Sequence, residues 1–191
     1  MNKKSLRKQI LENRGRLSEE DLMKYSKNIA EKLYDMNFYK TAKRIMSFIS
    51  FGDEVNTHDI IKDSINRGKS IVVPITIPDT KELKVSEILG FSELETGYYD
   101  ILSPKKEFIR FVDPSTIDLI LVPGVVFATN GYRVGYGGGY YDRFLSKIDK
   151  NVKKIGLAFD LQIVEKVPTE DFDIPVDIII TEKGIIHCSG K

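Results

Sequence analysis

Cysteine is nearly absent from this chain of 191 residues, in which Cys188 stands alone. A single cysteine excludes an internal disulfide and is compatible with a reducing compartment. The basic N-terminus lacks a signal-peptide core, and no segment has the roughly 18 uninterrupted apolar residues of a membrane span. An excess of one charge sign is also lacking, since the formal net charge is +1. We therefore expect a cytoplasmic protein that binds neither membranes nor nucleic acid.

Histidine is scarce as well, and its two positions do not indicate a catalytic or metal site. His58 falls in the first turn of a predicted helix, and His187 falls in a predicted terminal hairpin. Neither has a cysteine or serine partner that suggests nucleophilic catalysis, and neither has the ligand spacing of a zinc site. Any catalysis by this chain must therefore use charge and positioning.

The hydrophobic pattern predicts one α/β domain over residues 1–191. A hydrophobic content of 41% with 30% charged residues is ordinary for a globular protein. Helices are predicted at residues 3–14, after a Ser18 cap, and between a Thr57 cap and Gly68. Buried strands are predicted at 45–50, 70–75, 118–122, 154–159 and 177–181, with a shorter strand at 83–88 and a closing hairpin turn at 182–184. This alternation is typical of a three-layer domain with a central, largely parallel sheet flanked by helices.

The most distinctive stretch is RVGYGGGYYD at residues 133–142, which has four glycines, at positions 135, 137, 138 and 139. Glycines allow backbone amides to approach a ligand closely, and apolar residues at helical spacing follow, so the run predicts an anion cradle that opens a helix. Arg133 adds a positive charge, and Asp142 is a candidate magnesium ligand. The stretch matches neither a Walker A loop nor a dinucleotide fingerprint. The alternative is a mobile surface loop.

Three charged residues elsewhere are candidate ligand contacts. Lys3 and Arg7 lie four residues apart on the first predicted helix, so both can point the same way. They either bind a polyphosphate or form part of a solvated helix face. Glu54 follows the first predicted strand, at the sheet end where ligands bind in open α/β folds, although a surface loop would also explain a single glutamate there.

Two loops remain ambiguous. Asp171, Asp173 and Asp177 lie in an acidic loop, where they either solubilise the loop or share a cation with Asp142. Tyr98 and Tyr99 either cover an edge of the core or form a stacking surface for a flat heterocycle.

The motif RVGYGGGYYD, preceded by VPGVVFATNGY, resembles the signature of the 5-formyltetrahydrofolate cyclo-ligase (5,10-methenyltetrahydrofolate synthetase) family. The segments KKSLRK, FISFGDEVNT, YYDILSP and FDIPVD occur in the family's order, so the resemblance covers nearly the whole chain. It implies ATP- and magnesium-dependent closure of 5-formyltetrahydrofolate to 5,10-methenyltetrahydrofolate, with release of ADP and phosphate. ATP would be a co-substrate and Mg²⁺ the cofactor, and we expect a monomer or a weak homo-oligomer.

The resemblance also implies site residues. The implied ATP-binding residues are Lys3, Lys4, Ser5, Leu6, Arg7, Arg133, Val134, Gly135, Tyr136, Gly137, Gly138, Gly139, Tyr140 and Tyr141. Of these, Arg133 is the candidate catalytic residue, Lys3 and Arg7 are the expected phosphate contacts, and Lys4, like Lys8, is expected to face solvent. The implied folate-binding residues are Ile49, Glu54, Tyr99, Tyr136, Gly137, Gly138, Gly139 and Tyr140. The implied metal ligands are Asp142 and Asp173.

Tyr136 departs from the family pattern, because some members carry a basic residue at that position, and the corresponding extra phosphate contact is not implied here. Two other classes of function stay open on the sequence alone. One is an α/β enzyme that acts on a sugar phosphate without ATP hydrolysis. The other is a non-catalytic protein that binds a nucleotide or a folate.

Overall fold

A computed structural model of the chain describes residues 2–97 and 101–189. Its helices are α1 (Lys3–Arg14), α2 (Glu19–Asp35), α3 (Asn37–Thr41), α4 (His58–Asn66) and α5 (Tyr140–Leu145). Its strands are β1 (Arg44–Met46), β2 (Ser70–Ile77), β3 (Glu82–Ile88), β4 (Leu94–Thr96), β5 (Leu102–Pro104), β6 (Leu119–Val122), β7 (Val126–Ala128), β8 (Arg133–Val134), β9 (Lys153–Leu157), β10 (Ile163–Val164), β11 (Ile178–Ile180) and β12 (Ile185–His187).

Seven strands form the central sheet, in the order β12-β11-β9-β6-β1-β2-β3. The five inner strands run parallel, and only the two edge strands, β12 and β3, pair antiparallel. This confirms the predicted α/β class with a largely parallel sheet. The strand order reverses direction between β1 and β6, and a ligand site is expected outside the carboxyl ends of the strands at such a switch point.

Apolar residues cover both faces of the sheet. On one face, Ile29 and Leu33 of α2 and Ile60 and Ile61 of α4 pack against alternate residues of the parallel strands. On the other face, the complementary residues pack against Phe127 and the α5 residues Phe144 and Leu145. Because side chains alternate across a strand, runs such as LILV supply both cores at once.

A second, three-stranded sheet, in the order β10-β7-β8, lies beyond the carboxyl end of β6. The strands β7 and β8 form an antiparallel pair with Val126 opposite Val134. Helix α1 packs on this pair, since Leu6 and Ile10 form an apolar cluster with Val125, Val126 and Val134. The hydrophobic pattern predicts no strand in this stretch, because β7 and β8 are only three and two residues long.

One boundary prediction is wrong, and one predicted helix cap forms without a side-chain hydrogen bond to the helix. The first strand ends at Met46 rather than at residue 50. Beyond it, the Ser50 amide donates to Thr57 Oγ1 and the Thr57 amide donates to Ser50 Oγ, at 2.9 and 3.0 Å. These bonds replace the strand ladder and close the loop between β1 and α4. Thr57 is the N-cap residue of α4, as predicted, but its hydroxyl donates to the Phe48 carbonyl at 2.7 Å and makes no hydrogen bond to the helix.

Within residues 2–97 and 101–189, the helices are all too short or too polar to cross a membrane.

Candidate functional site

The glycine loop, residues 135–139, lies between β8 and α5. Gly137 and Gly139 have φ values of +107° and +66°, a region in which a side chain would be strained. The Arg7 side chain comes within 3.5 Å of the place where a Cβ on Gly137 would stand. Glycine at these positions therefore serves a tight backbone path beside a cation. Since α5 has only six residues, its dipole is short, and side-chain cations supply most of the positive charge near the loop.

Helix α1 brings one cation to this loop, and a second to the acidic loop that holds Asp173, from the other end of the chain. The Arg7 Nε donates to the Gly135 carbonyl at 2.8 Å, and the Lys3 ammonium pairs with Asp173 at 2.6 Å. The same helix leaves Lys4, Ser5 and Lys8 exposed. The structure thus places Arg7 against the glycine loop and Lys3 against the acidic loop, whereas Lys4 and Lys8 face solvent.

Three further predicted residues of the nucleotide site contribute no free polar side chain. Leu6 and Val134 are buried together in the apolar cluster under α1. Ser5 lies at the N-terminus of α1, where its hydroxyl donates to the Asn2 carbonyl at 3.0 Å. Any contact of these residues with a ligand would use the main chain.

Arg133 is a buried cation rather than an exposed one, with 4% of its side chain accessible. Its Nη1 donates to the Ile174 carbonyl at 2.7 Å, and its Nη2 pairs with Asp142 Oδ1 at 3.2 Å. The same Asp142 oxygen accepts from the Ile174 amide at 3.1 Å. Burial lowers the pKa of Arg133, an effect that Asp142 opposes, but an arginine remains protonated in proteins. Arg133 is thus a fixed charge oriented by its neighbours.

The two predicted metal ligands, Asp142 and Asp173, both adjoin Ile174. Asp173 directly precedes Ile174, which contacts both Arg133 and Asp142. Asp173 Oδ2 accepts from Lys3 and from the Glu170 amide at 2.8 Å. In the part of the chain that the structure describes, no cluster of three or more His, Cys, Asp or Glu side chains could hold a metal ion. Two carboxylates nevertheless suit Mg²⁺, which usually keeps several waters and takes one or two carboxylates.

Glu54 lies in the loop after β1, beside the glycine loop. It is 8% exposed, its Oε1 accepts from the Tyr136 hydroxyl at 2.6 Å, and its Oε2 accepts from the Phe51 amide at 3.1 Å. Burial raises the pKa of Glu54 above its ordinary value, and both hydrogen bonds act in the opposite direction. A buried carboxylate next to a ligand loop is a typical feature of a functional site.

A groove of about 620 Å³ opens beside Glu54. Leu22 and Ser26 of α2 line one part of it, and Phe51, His58 and Leu102 line others. A groove of this volume is large enough for a drug-sized ligand. His58 forms part of the groove wall, and its Nε2 lies 2.8 Å from the Ser50 carbonyl.

The predicted aromatic and apolar ligand contacts differ in their burial. Ile49 is buried in the core beneath the sheet end. Tyr140 and Tyr141 are half-buried in the first turn of α5. The Tyr141 hydroxyl is buried, and no hydrogen-bond partner for it exists among the described residues. Tyr99 lies outside the described residues, so its predicted role stays a prediction.

Sequence reasoning missed Arg14 and Asp53. Arg14 is buried at the end of α1, where it pairs with Asp53 at 2.7 Å and donates to the Tyr136 hydroxyl at 3.0 Å. A signal was present, because Leu6, Ile10 and Arg14 follow one another at intervals of four residues. A cation at the third position of an apolar helix stripe indicates a buried ion pair or a site residue.

Glu54→Gln is expected to raise the melting temperature at pH 7 more than at pH 4. The folded-state pKa of Glu54 is raised above the ordinary 4.5, so between these two values the folded chain holds a proton that the unfolded chain has released. Stability therefore falls as pH rises through this window, and the glutamine variant lacks that loss. Thermal unfolding followed by circular dichroism from pH 4 to 7.5 measures the difference.

Glu93→Gln is the matched control with the opposite sign. The Arg110 side chain, paired with Glu93 at 2.7 Å, lowers the pKa of this glutamate, so its stabilisation is present at neutral pH and is lost as pH falls. We expect this variant to melt lower than the unsubstituted chain at pH 7. Equal shifts for Glu54→Gln at pH 4 and pH 7 would contradict the assigned pKa direction.

Comparisons with known proteins agree over the whole chain. The model of the 5-formyltetrahydrofolate cyclo-ligase family matches residues 1–182. The Mus musculus protein named 5-formyltetrahydrofolate cyclo-ligase is 32% identical over 189 residues, which cover 94% of this chain and 93% of the mouse chain.

Two solved structures share the fold. The NMR structure of Aquifex aeolicus 5,10-methenyltetrahydrofolate synthetase has a TM-score of 0.86 at 30% identity and covers 100% of this chain and 95% of its own. The 5,10-methenyltetrahydrofolate synthetase from Mycoplasma pneumoniae has a TM-score of 0.76 at 27% identity, with 95% and 99% of the two chains covered. Since the family model and relatives of at least 30% identity span nearly all of its length, this chain belongs to the 5-formyltetrahydrofolate cyclo-ligase family and is a ligase.

Proposed function

We propose that residues 1–191 act as one domain that uses ATP and Mg²⁺ to cyclise 5-formyltetrahydrofolate to 5,10-methenyltetrahydrofolate, releasing ADP and phosphate. One observation carries the proposal beyond family membership. Arg7 bonds Gly135 of the glycine loop, and the buried carboxylate of Glu54 reaches the same loop through Tyr136. Arg133, directly before the loop, bonds the Ile174 carbonyl, and Lys3 pairs with the neighbouring residue Asp173. Cationic groups for a polyphosphate and an acceptor for a heterocycle thus stand side by side at the switch point of the sheet.

The chemistry explains why two ligand sites must adjoin. A formamide oxygen is a poor leaving group, and ring closure by folate N10 requires that oxygen to depart. Transfer of the γ-phosphoryl group to the oxygen forms the new P–O bond and breaks the bond to ADP. N10 then attacks the activated carbon, and phosphate leaves with the former formyl oxygen. The protein needs no covalent nucleophile for this sequence, only alignment and charge stabilisation.

The cationic side chains fit the phosphate end of this reaction. Arg133 is fixed by Asp142 and the Ile174 carbonyl, so its orientation is set before a ligand arrives. A preoriented guanidinium stabilises charge on a transferring phosphoryl group without a reorganisation penalty. Lys3 and Arg7 add two further charges along α1, and the backbone amides of the glycine loop supply neutral donors.

The residues present also fit a magnesium ion. Asp142 and Asp173 accept hydrogen bonds through a single oxygen each, and among the described residues no hydrogen bond reaches Asp142 Oδ2 or Asp173 Oδ1. These two side chains would hold the ion. When bound, Mg²⁺ would neutralise phosphate charge and polarise the phosphoryl oxygens.

The buried Tyr141 hydroxyl lies near Arg133 and Glu54, and is a donor that a bound substrate can use.

Glu54 and the groove beside it fit the folate. Two N–H groups side by side on the pterin match the two oxygens of Glu54, each of which has a second lone-pair direction. The groove beside Glu54, walled by Phe51, Leu22 and Leu102, can take the rest of the folate. Glu54 therefore orients the substrate while the glycine loop orients ATP.

A single assay tests the proposal. Purified protein is mixed with 5-formyltetrahydrofolate and Mg-ATP, and the near-ultraviolet absorbance of the methenyl product is followed together with phosphate release. We expect product and phosphate in equal amounts, and neither without ATP or in excess chelator. Absence of ATP-dependent product at every folate concentration contradicts the proposed reaction, and phosphate release without product indicates ATP hydrolysis alone.

A further inference from the structure

Arg14 makes the least explained ion pair near the site. Its side chain is only 3% exposed, although its partner Asp53 is 30% exposed. Arg14 Nε and Nη2 both contact Asp53 Oδ1, at 2.9 and 2.7 Å, and Nη2 also donates to the Tyr136 hydroxyl at 3.0 Å. Burying a guanidinium carries a large desolvation penalty, and one partly exposed carboxylate is a weak compensation for it. The hydrogen bond to Tyr136 indicates that the buried Arg14 has a role beyond its ion pair with Asp53.

Tyr136 passes this contact on to Glu54. Its hydroxyl accepts from Arg14 and donates to Glu54 Oε1 at 2.6 Å, which joins three segments that are far apart in the sequence. The Tyr136 ring also packs against Phe51, with centroids 5.6 Å apart, and the Phe51 amide donates to the other oxygen of Glu54. The carboxylate is thereby held at both oxygens. Each oxygen keeps a lone pair for a ligand, so this shell can stay in place when a substrate binds.

The same helix also grips the nucleotide end of the glycine loop. Arg7 bonds the Gly135 carbonyl and Arg14 bonds the side chain of the next residue, Tyr136. Arg7 and Arg14 are two helical turns apart, so they lie on nearly the same face of α1. Arg14 and Glu54 also line one small cavity of about 10 Å³, with Pro123 and Gly124 at the carboxyl end of β6.

We propose that Arg14 is a positioning residue of this enzyme, which holds the Glu54 carboxylate in place for the folate through the Tyr136 hydroxyl. The inference rests on the proposed function, because it assigns the folate to Glu54. It also explains the departure at Tyr136: a tyrosine there carries the hydroxyl that links Arg14 to Glu54. In this chain the basic group comes from α1 instead of from the glycine loop.

Charge is the second part of the role. The titratable and charged groups that face Glu54 or line the groove beside it are Arg14, Asp53, Tyr136, Tyr141, His58 and Glu19. Burial raises the pKa of Glu54, whereas the Tyr136 hydrogen bond and the charge of Arg14 lower it. Loss of Arg14 therefore favours the protonated carboxyl, which can no longer accept two N–H groups. The effect must be larger at low pH than at high pH.

The test compares Arg14→Met, Arg14→Lys and Tyr136→Phe. We expect Arg14→Met to raise the folate KM about tenfold or more at pH 7, with a larger increase at pH 6 than at pH 8.5. The ATP KM is expected to change less than about twofold, because Lys3, Arg7 and Arg133 remain. Arg14→Lys keeps the charge and is expected to restore the pH profile and part of the affinity. The double variant with Tyr136→Phe is expected to be hardly worse than Arg14→Met, since both changes break one link.

Arg44→Met is the matched control. Arg44 is also partly buried and hydrogen-bonded, to Ser70 and Thr116, but it lies at the opposite end of β1. Its loss is expected to lower the melting temperature without changing the folate KM. If Arg14→Met and Arg44→Met alter the two KM values alike, or if the effect of Arg14→Met falls on ATP, Arg14 is only structural and the inference is wrong.

A binding measurement separates failure of the inference from failure of the proposed function. 5-Formyltetrahydrofolate is titrated calorimetrically into each variant without ATP, and the order of Kd values is expected to follow the order of folate KM values. If the unsubstituted chain binds the folate without turning it over, the ligase reaction is contradicted while the Kd series still tests Arg14. If the unsubstituted chain does not bind the folate, both are wrong.

Discussion

Replacement of Arg133 by methionine is expected to lower the turnover number by about 10³-fold or more, the range typical of an arginine that stabilises a transferring phosphoryl group. The physical reason is its preorganisation: the guanidinium is held by Asp142 and the Ile174 carbonyl before substrates bind. Arg133→Lys keeps a charge but loses the planar fork, so we expect it to recover only a small part of the rate. Steady-state rates at saturating ATP and folate measure the effect.

The same change also has a stability consequence that must be kept apart from catalysis. Methionine leaves the Ile174 carbonyl without its donor and Asp142 without its ion pair, which is expected to cost about 1–3 kcal/mol. Rates are therefore compared at a temperature where circular dichroism shows each variant to be folded. Arg110→Met is the control, since Arg110 also pairs with a carboxylate, Glu93, but lies away from the glycine loop. A folded Arg133→Met variant with near-normal turnover would remove Arg133 from the catalytic residues.

Asp142→Asn is expected to raise the Mg²⁺ concentration for half-maximal activity by at least about tenfold. Asparagine is nearly isosteric, and its carbonyl can still accept from the Ile174 amide and from Arg133, although the ion pair with Arg133 becomes a neutral hydrogen bond. What is lost is the negative charge that a hard cation prefers. Asp173→Asn is expected to act in the same direction, because Asp173 directly precedes Ile174, whose amide donates to Asp142. Activity is measured as the Mg²⁺ concentration is varied at constant total ATP. Every Mg²⁺ concentration is high enough to keep ATP saturated with the metal.

Asp171→Asn distinguishes a ligand from a background charge. Asp171 is exposed and belongs to the same acidic loop as Asp173. If the loop acts only through its general negative potential, all three substitutions will shift the Mg²⁺ titration by similar amounts. We expect Asp171→Asn to leave it unchanged, and a shift confined to Asp171→Asn would reverse the assignment.

Much of the fold follows from local pattern. The predicted segments 70–75, 118–122 and 154–159 coincide with β2, β6 and β9 to within two residues, because continuous apolar runs are required by strands buried on both faces. The start of α2 was equally predictable, since Ser18 caps it and three acidic residues fill its first turn. The short strands β7 and β8 were not, because two or three residues carry no periodicity.

The candidate site divides in the same way. The motif at residues 133–142 and its companions indicate which residues matter, and the family they imply is confirmed. The sequence predicts less about residues whose role depends on an ion pair with a distant segment. The burial of Arg133 in an ion pair with Asp142 was not predicted and Arg14 was missed, because burial and pairing depend on segments distant in the sequence.

The sequence by itself determined the parallel α/β core, the glycine loop before α5 and the chemical character of its neighbours, since these depend on side-chain periodicity and residue type. Only the tertiary structure decided that α1 packs on β7 and β8. That packing depends on a small apolar cluster between segments more than 100 residues apart, which no local pattern records. It places Arg7 against Gly135 of the glycine loop and Arg14 against Tyr136, so one helix contacts the loop at two successive residues.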